Sequence, residues 1–467
     1  MGLFMKKAKS VNQITILNLL SIIITQGIVF FTIPLFTRML GTEQYGIYSV
    51  FNSWVAIMTC IMGLGSVAVI GSGKYHFKEM YYEFRSSVLL YGTIVSLIII
   101  FLLLVLRPIE YIANYKTFLV FIMLFTAMSN YIFLFYQNCC IYEKRAVSNL
   151  VSSFILSVSS VVLSIVLIRV YKSETRYLGR VYGSFIPHIV LAIVVWFILF
   201  KKNPVFLKKE YCKYAFWLGF PIVFNGLAQN ILSQSDRVMM QYMQVNDSEI
   251  GIYSFFYSFV MILNIFLNAL NNSWCPFYYD NLDKKDWTSL RKKSKNYIEL
   301  FTVLSVGFVL LSREVAYLMA DSTYWSGMQI MPVLVISVYF IFMYQFAVNF
   351  EYFHKKTKEI ALGTIIAGLV NIGLNTLWIP MWGMYGAALA TTLAYVILFM
   401  MHYIIVKSMK EYVWGICLLD FVPGLGAVMI SIVLFWLLDK LWIVRWGIGA
   451  LLGAWELFRI IKRKTIF

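Results

Sequence analysis

Long uncharged, apolar runs dominate the chain and predict its secondary structure. A helix needs about 20 apolar residues to cross a bilayer. Uncharged runs of at least that length are 10–37, 44–73, 86–106, 117–142, 146–168, 181–200, 214–235, 250–279 and 322–350. A further run, 360–406, is long enough for two spans, and Pro380, Gly383 and Gly386 predict the turn between them.

Three more spans are expected where charges interrupt or flank the apolar sequence, at 297–318, 413–437 and 442–461. Together these segments predict an all-α polytopic membrane protein with about 14 transmembrane helices. Hydrophobic residues make up 61% of the 467 positions and charged residues 13%. Soluble domains are about 45–50% apolar and about 25% charged. The composition therefore excludes most soluble enzymes, nucleic-acid binders and disulfide scaffolds.

The basic residues predict the orientation of the spans. The chain carries a formal net charge of +17, and its Lys and Arg cluster on one side of the predicted helices, for example at 284–285, 291–293 and 459–464. Because Lys and Arg stay on the cytoplasmic side during insertion, both termini are predicted to be cytoplasmic. The positive charge then reflects topology and contact with membrane lipids, and no nucleic-acid partner is expected.

An internal repeat predicts two lobes. The sequence Gly46–Ser53 recurs as Gly251–Ser258 with six identities in eight positions, and as a weaker echo the dipeptide at 182–183 recurs at 385–386. The two copies are 205 positions apart, so span 2 corresponds to span 8 and each repeat contains six helices. This predicts two six-helix lobes in parallel repeat and two extra C-terminal helices, an arrangement typical of transporters. The expected domains are an N-terminal lobe at 1–213 (spans 1–6), a C-terminal lobe at 214–411 (spans 7–12) and a helix pair at 412–467 (spans 13–14).

No catalytic or nucleotide-binding motif is recognisable. The stretch 71–74 resembles the end of a phosphate-binding loop, but Ala68 and Tyr75 occupy positions that the motif reserves for Gly and for Ser or Thr. The loops are too short to form a catalytic domain. The chain is therefore predicted not to be an enzyme, to need no metal or other cofactor, and to support transport without hydrolysing ATP.

The seventh predicted span is the most informative for a binding site. Its polar outer half ends in Asp236 and Arg237, and ionisable groups at membrane depth generally face a bundle interior or a water-filled cavity. A hydrogen-bonded seam between helices is the alternative. Arg237 is the leading candidate for substrate binding, because a guanidinium holds phosphate oxygens with two parallel hydrogen bonds. Arg38 and Arg180 are weaker candidates, for which snorkelling to lipid phosphates is an equal alternative.

Acidic residues in or near the spans are candidates for ion coupling. They are Asp236, Glu351, Asp420 and Glu456. Coupling to a proton or sodium gradient is one role for such residues, and a structural ion pair is the commoner one.

Several stretches resemble the polysaccharide-exporting flippases. They are 34–49, Gly219-Phe220-Pro221, Ser235-Asp236-Arg237, 249–254 and 383–388. Over its whole length the chain is similar to Wzx-type O-antigen flippases of the multidrug/oligosaccharidyl-lipid/polysaccharide superfamily. The resemblance implies that an undecaprenyl-pyrophosphate-linked oligosaccharide moves from the inner to the outer leaflet of the bacterial plasma membrane by alternating access. The cargo would be a repeat unit of O-antigen in lipopolysaccharide, of capsule or of exopolysaccharide, bound in a cationic central cavity.

Two other functions stay open on the sequence. A cation-coupled drug or small-molecule exporter of the same superfamily is opposed by a span count above twelve and by the polysaccharide signatures. An integral membrane glycan polymerase or transferase is opposed by the lack of a large outer loop. A glycan polymerase and other assembly proteins are expected instead as partners of a flippase.

Overall fold

The computed structural model describes residues 11–109, 116–409 and 418–467, and these ranges are almost entirely helical without a β-strand. The helices are α1 (Val11–Ile61), α2 (Ile70–Phe77), α3 (Tyr81–Leu106), α4 (Thr117–Tyr142), α5 (Ala146–Val170), α6 (Arg176–Lys202), α7 (Lys209–Tyr242), α8 (Asp247–Lys284), α9 (Trp287–Met319), α10 (Met331–Phe353), α11 (Thr357–Ser408), α12 (Leu418–Leu437) and α13 (Trp442–Arg463). The expected all-α polytopic fold is confirmed. The predicted starts of spans 1 and 13, Ser10 and Val413, and the domain boundary at 411–412 lie outside the described residues.

Length and composition identify the helices that can cross a membrane. Within the described ranges, nine helical stretches are long and apolar enough to do so. Two of them, Phe30–Leu106 and Thr357–Ser408, contain more than one predicted span. The predicted ninth and fourteenth spans form α9 and α13, of 33 and 22 residues, which are less apolar. The complete set of about 14 crossings stays a prediction.

The charges that make α9 and α13 less apolar are paired with neighbouring helices. Arg445 of α13 is fully buried, forms an ion pair with Glu314 of α9, and donates from Nη1 to the Leu310 carbonyl oxygen at 3.4 Å. Arg313 of α9 pairs with Asp439, in the turn between α12 and α13. Because paired charges cost much less to bury than isolated ones, these residues are compatible with a helical bundle in the membrane.

Glycines with positive φ separate the two halves of α1 and the two halves of α11. Gly41 has φ 71° and ψ 177°, and Gly383 has φ 54° and ψ −128°. Both conformations favour glycine, because a Cβ atom would clash with the backbone. The turn predicted near Gly383 between spans 11 and 12 is confirmed, and Gly41 lies between the predicted spans 1 and 2.

The second predicted span is not continuous. A 3₁₀ turn follows α1 at Met62–Gly65, and even Leu64 has a positive φ of 40°. The Gly63 N–H donates to Ser96 Oγ at 2.9 Å, and the Ser66 hydroxyl donates to the Tyr131 hydroxyl, also at 2.9 Å. Side chains of α3 and α4 therefore satisfy polar groups at the break, as membrane-embedded irregular backbone requires. The sequence pattern did not predict this break.

The helices form two compact units, which we call the N-terminal unit (residues up to Gly251) and the C-terminal unit (residues from Ile252). The N-terminal unit contains α1 to α7 and the first turn of α8. The repeat assigns α7 to the second lobe, yet α7 packs on α1 and α3 of the N-terminal unit. The lobe boundary between 213 and 214 stays a prediction.

The first residues of the two repeat copies lie against each other within the N-terminal unit. A Cβ at Gly46 would overlap the Asp247 carbonyl oxygen and lie 2.9 Å from the Gly251 nitrogen. A Cβ at Gly251 would in turn overlap the Thr42 carbonyl oxygen and lie 3.0 Å from the Gly46 nitrogen. The second half of α1 and the start of α8 therefore cross backbone to backbone, which small residues allow.

A carboxylate between two guanidiniums ties α3 to the end of α4. Arg85 Nη1 lies 2.7 Å from Glu143 Oε1, and Arg145 Nη1 lies 3.0 Å from Glu143 Oε2. Arg85 Nη2 also donates to the Leu199 carbonyl oxygen of α6 at 2.8 Å. All three charged side chains are buried. The network therefore joins three helices of the N-terminal unit through one acidic residue.

Glu143→Gln should destabilise the chain strongly at neutral pH. Burial alone would raise the pKa of Glu143, but the charge of Arg85 and hydrogen bonds from Arg85 and Arg145 outweigh it and hold this pKa below its ordinary value. The carboxylate thus stabilises the fold above about pH 4.3, and its contribution is lost as the pH falls through the lowered pKa. Removing the charge should reduce the unfolding free energy in detergent by about 3–5 kcal/mol.

The control is Glu83→Gln, because Glu83 pairs with Lys208 at the surface. It should change the unfolding free energy by less than about 1 kcal/mol. Both variants are compared with the wild type by chemical unfolding from neutral to acid pH. The loss of unfolding free energy caused by Glu143→Gln should become smaller as the pH falls. Equal losses for the two variants, or a deficit independent of pH, would contradict the assigned role of Glu143.

Candidate functional site

Arg237 lies in the last two turns of α7 and is buried, with 5% of its surface exposed. Its Nη1 donates to the Ser233 carbonyl oxygen and to Gln234 Oε1, both at 3.3 Å. Gln234 Oε1 also accepts a hydrogen bond from Ser53 Oγ of α1 at 3.1 Å. A chain of polar groups therefore links Arg237 to the second half of α1.

A polar stripe continues from Arg237 along α7. Gly226, Asn230 and Gln234 recur at intervals of four residues, which places them on one face of the helix. Asn230 Nδ2 donates to Cys60 Sγ of α1 at 3.0 Å and to the Gly226 carbonyl oxygen at 3.1 Å. At Asn230 and Gln234, this face forms the hydrogen-bonded seam that was the alternative to a cavity lining.

Asp236 is fully buried next to Arg237. Consecutive residues project about 100° apart around a helix, so Asp236 and Arg237 belong to different faces of α7. Both residues make further interactions within the protein. This end of α7 therefore buries two ionisable groups of opposite sign in protein surroundings.

Arg180 of α6 points at aromatic rings from both halves of α1. Its guanidinium carbon lies 3.8 Å from the Phe36 ring centroid and 5.1 Å from that of Tyr48. Nη1 donates to Ser164 Oγ of α5 at 2.8 Å, while the buried Nε has no hydrogen-bond partner within residues 11–109, 116–409 and 418–467. Cation–π contact and one hydrogen bond thus hold the guanidinium beside the kink at Gly41.

Arg38 is exposed and lies elsewhere on α1. It follows Phe36 by two residues, or about 200° around the helix, so it faces away from the ring that Arg180 contacts. The structure therefore brings Arg180 onto α1 but does not bring Arg38 and Arg180 to one face. The exposed position of Arg38 suits the alternative of contact with lipid phosphates.

The acidic candidates of the C-terminal unit all have ionisable neighbours. Lys295 Nζ lies 3.1 Å from Asp420 Oδ1, and Arg463 Nη1 lies 3.7 Å from Glu456 Oε1. These are the ion pairs that the sequence offered as the commoner role. The third candidate, Glu351, instead contacts a histidine of α11 that the sequence did not single out.

A cleft of about 560 Å³ opens beside Asp420 among α9, α12 and α13. Aliphatic side chains form most of its wall, including Val306, Leu310, Ile430, Leu434 and Leu452. The charged residues on its lining are Lys295, Glu299 and Asp420. An apolar cleft with a few charged groups matches a ligand that is mainly hydrocarbon.

Solved structures with the same fold belong to membrane transporters. The inward closed conformation of the lipid II flippase MurJ has a TM-score of 0.71 at 16% identity, over 97% of this chain and 99% of that chain. An inward-facing multidrug resistance MATE family transporter of the MOP superfamily has a TM-score of 0.61 at 14% identity, over 88% and 98%. The chain is thus a multi-pass membrane protein with a transporter fold.

Sequence comparison identifies the family. Residues 11–280 match the family described as polysaccharide biosynthesis protein, and the chain belongs to this family. The Lsg locus putative protein 1 of Haemophilus influenzae is 22% identical over 378 residues, which cover 77% of this chain and 90% of that protein. The resemblance to polysaccharide flippases is confirmed at the level of the family.

Proposed function

We propose that this chain is a flippase for an undecaprenyl-pyrophosphate-linked oligosaccharide. It moves the lipid-linked repeat unit from the inner to the outer leaflet of the bacterial plasma membrane by alternating access. The observation that carries the proposal is the buried Arg237 on the polar face of α7, in a member of the polysaccharide biosynthesis family. A charge on a spanning helix costs about 2.5–3.5 kcal/mol at mid-bilayer, so its retention needs a compensating role.

Arg237 and Arg180 suit a pyrophosphate because both present guanidinium groups next to the second half of α1. Arg237 is linked there through Gln234 to Ser53, and Arg180 lies next to Tyr48. Tyr48 and Ser53 are five residues apart, which corresponds to about 7.5 Å of rise and about 140° around α1. Two of the hydrogen bonds of Arg237, both at 3.3 Å, are long for N–H···O contacts, and we propose that phosphate oxygens replace their acceptors. Arg38 contributes less than Arg237 to the proposed binding of pyrophosphate.

The apolar cleft of the C-terminal unit supports the lipid part of the proposal. Its aliphatic wall suits one segment of a prenyl chain, because burying hydrocarbon there needs no polar partner. Arg459 and Arg463 both pair with Glu299, so the carboxylate on the cleft lining is compensated. A mainly apolar ligand could therefore enter without exposing an unpaired charge at Glu299.

Lipid analysis of a deletion strain tests the function. We expect complete lipid-linked repeat units to accumulate and to stay on the inner leaflet, and export to return when the gene is supplied on a plasmid. Export of single unpolymerised units would identify a glycan polymerase. A normal lipid-linked pool with altered drug tolerance would identify a drug exporter of the same superfamily.

Cysteine labelling tests the orientation of the chain. The segment 280–296 carries six basic residues, whereas 243–250 carries Asp247 and Glu249 but no Lys or Arg. The first segment should therefore be cytoplasmic and the second periplasmic. With an impermeant thiol reagent in intact cells, Ser248→Cys should react and Ser289→Cys should not, and the unsubstituted chain supplies the background. Reaction at Ser289→Cys alone would invert the orientation.

A further inference from the structure

A fully buried acid–imidazole pair joins α10 to the second half of α11. Glu351 Oε2 lies 2.7 Å from His402 Nδ1, and both side chains are 0% exposed. A Cβ at Gly363 would overlap His402 Nε2, so the first half of α11 lies directly against the imidazole. The Tyr344 ring packs against the imidazole at a centroid distance of 5.1 Å. Three helical segments of the C-terminal unit therefore enclose the pair.

The Glu351–His402 pair can bind a second proton in addition to the one in its hydrogen bond. One proton lies between Nδ1 and Oε2, while Glu351 Oε1 and His402 Nε2 are buried and have no hydrogen-bond partner among the residues that the structure describes. With that single proton the pair has a net charge of −1. A second proton makes it neutral, either as imidazolium with carboxylate or as imidazole with carboxylic acid. A net charge of −1 is costly to bury without compensation, whereas the neutral pair does not carry this cost.

Glu351 differs from other buried acidic residues in its ion-pair partner. Glu143, Asp420 and Glu456 each pair with Arg or Lys, but no Lys or Arg forms an ion pair with Glu351 within the described part of the chain. The titratable groups near Glu351 include His402 and two tyrosines of α10, Tyr344 and Tyr352, and Lys355 and Lys356 follow just after this helix. The first half of α11 contributes Gly363 at the imidazole and Thr364 near Tyr344.

We propose that Glu351 and His402 form a proton-binding site that couples the packing of α10 and α11 to the proton gradient. Glu351 lies two residues before the end of α10, next to Lys355 and Lys356, so the site belongs to the predicted cytoplasmic end of these helices. The neutral pair stabilises the enclosed state. Loss of the second proton leaves a charge of −1, which water must solvate, and therefore favours separation of the first half of α11 from the imidazole. The consequence for transport rests on the proposed flippase function.

Proton binding is tested without any substrate, on the purified full chain in liposomes. Infrared difference spectra between acid and alkaline pH should contain a carboxyl C=O band from a buried acid. Glu351→Gln should remove this band, and His402→Gln should move its midpoint to another pH. Glu359→Gln, which removes a surface carboxylate beside Lys356, should leave the band unchanged. Persistence of the same band in Glu351→Gln would overturn the site. If Glu351→Gln does not fold, an unshifted midpoint in His402→Gln overturns it.

Coupling is tested with lipid-linked oligosaccharide extracted from the deletion strain. Its movement across liposomes that contain the full chain is measured with and without a pH gradient. The ratio of the two rates should be several-fold in the wild type and in Glu359→Gln, and should fall to one in Glu351→Gln and His402→Gln. A wild-type ratio of one, or an unchanged ratio in both pair variants, would overturn the coupling. If the wild type moves no lipid under any condition, the flippase proposal fails, while the infrared result still decides the proton site.

Discussion

Arg237→Ala should abolish glycan export while the amount of protein in the membrane stays normal. The substitution removes the buried guanidinium from the polar face of α7 and with it the proposed hydrogen bonds to pyrophosphate oxygens. Arg237→Lys keeps the charge but loses the planar fork, so its export should lie between those of the wild type and the alanine variant. Export is measured as surface glycan in the complemented deletion strain, normalised to membrane abundance.

Arg176→Ala is the matched control for Arg237. Arg176 belongs to the same unit, at the start of α6, but its guanidinium is exposed and donates only to the Met39 carbonyl oxygen at 3.3 Å among the contacts described. Export by Arg176→Ala should equal that of the wild type. If Arg237→Ala also exports normally at equal abundance, Arg237 does not belong to the substrate site.

Gly46→Ala should prevent stable folding. The added methyl group overlaps the Asp247 carbonyl oxygen, which belongs to the backbone of α8 and cannot rotate away. Relief of the overlap requires the second half of α1 and the start of α8 to separate, and their close packing is lost. Gly251→Ala should have the same defect, because its methyl group overlaps the Thr42 carbonyl oxygen. Both are measured as membrane abundance and as thermal unfolding in detergent.

Gly307→Ala provides the comparison for the glycine variants. Gly307 lies within α9, and an added Cβ would meet nothing within 4 Å. Because Ala favours a helix over Gly by about 1 kcal/mol, this variant should be as stable as the wild type or slightly more stable. A Gly46→Ala protein that unfolds at the wild-type temperature would show that the two helices can part at no cost.

Most of the helices were predictable because each uncharged run must satisfy its own backbone in a bilayer. The runs 117–142 and 146–168 coincide almost residue for residue with α4 and α5. The break after Ile61 was not predicted because the uncharged run continues through it, although Gly63 and Gly65, both with positive φ, lie at this point. It depends on Ser96 and Tyr131, which are distant in sequence and become neighbours only when α3 and α4 pack beside α1.

The candidate site was predictable in its residue types and less so in its contacts. Arg237 is conspicuous because ionisable residues are rare in a spanning helix, and Arg180 was selected by its position at the start of span 6. The face that each guanidinium adopts depends on partners far along the chain, such as Phe36 for Arg180 and Ser53, through Gln234, for Arg237. The signal that sequence analysis overlooked is His402, a titratable residue inside an uncharged run.

The sequence by itself determined the class, the family and the approximate positions of the helices, because the cost of exposing a backbone or a charge to hydrocarbon depends on local composition. The tertiary structure alone decided which polar groups meet. Gly46 and Gly251 were visible as a repeat, but their backbone contact requires two helices to cross. Glu351 and His402 were visible as separate residues, but only the packing of α10 on α11 makes them a buried pair. Such contacts join residues far apart in sequence, so no local pattern specifies them.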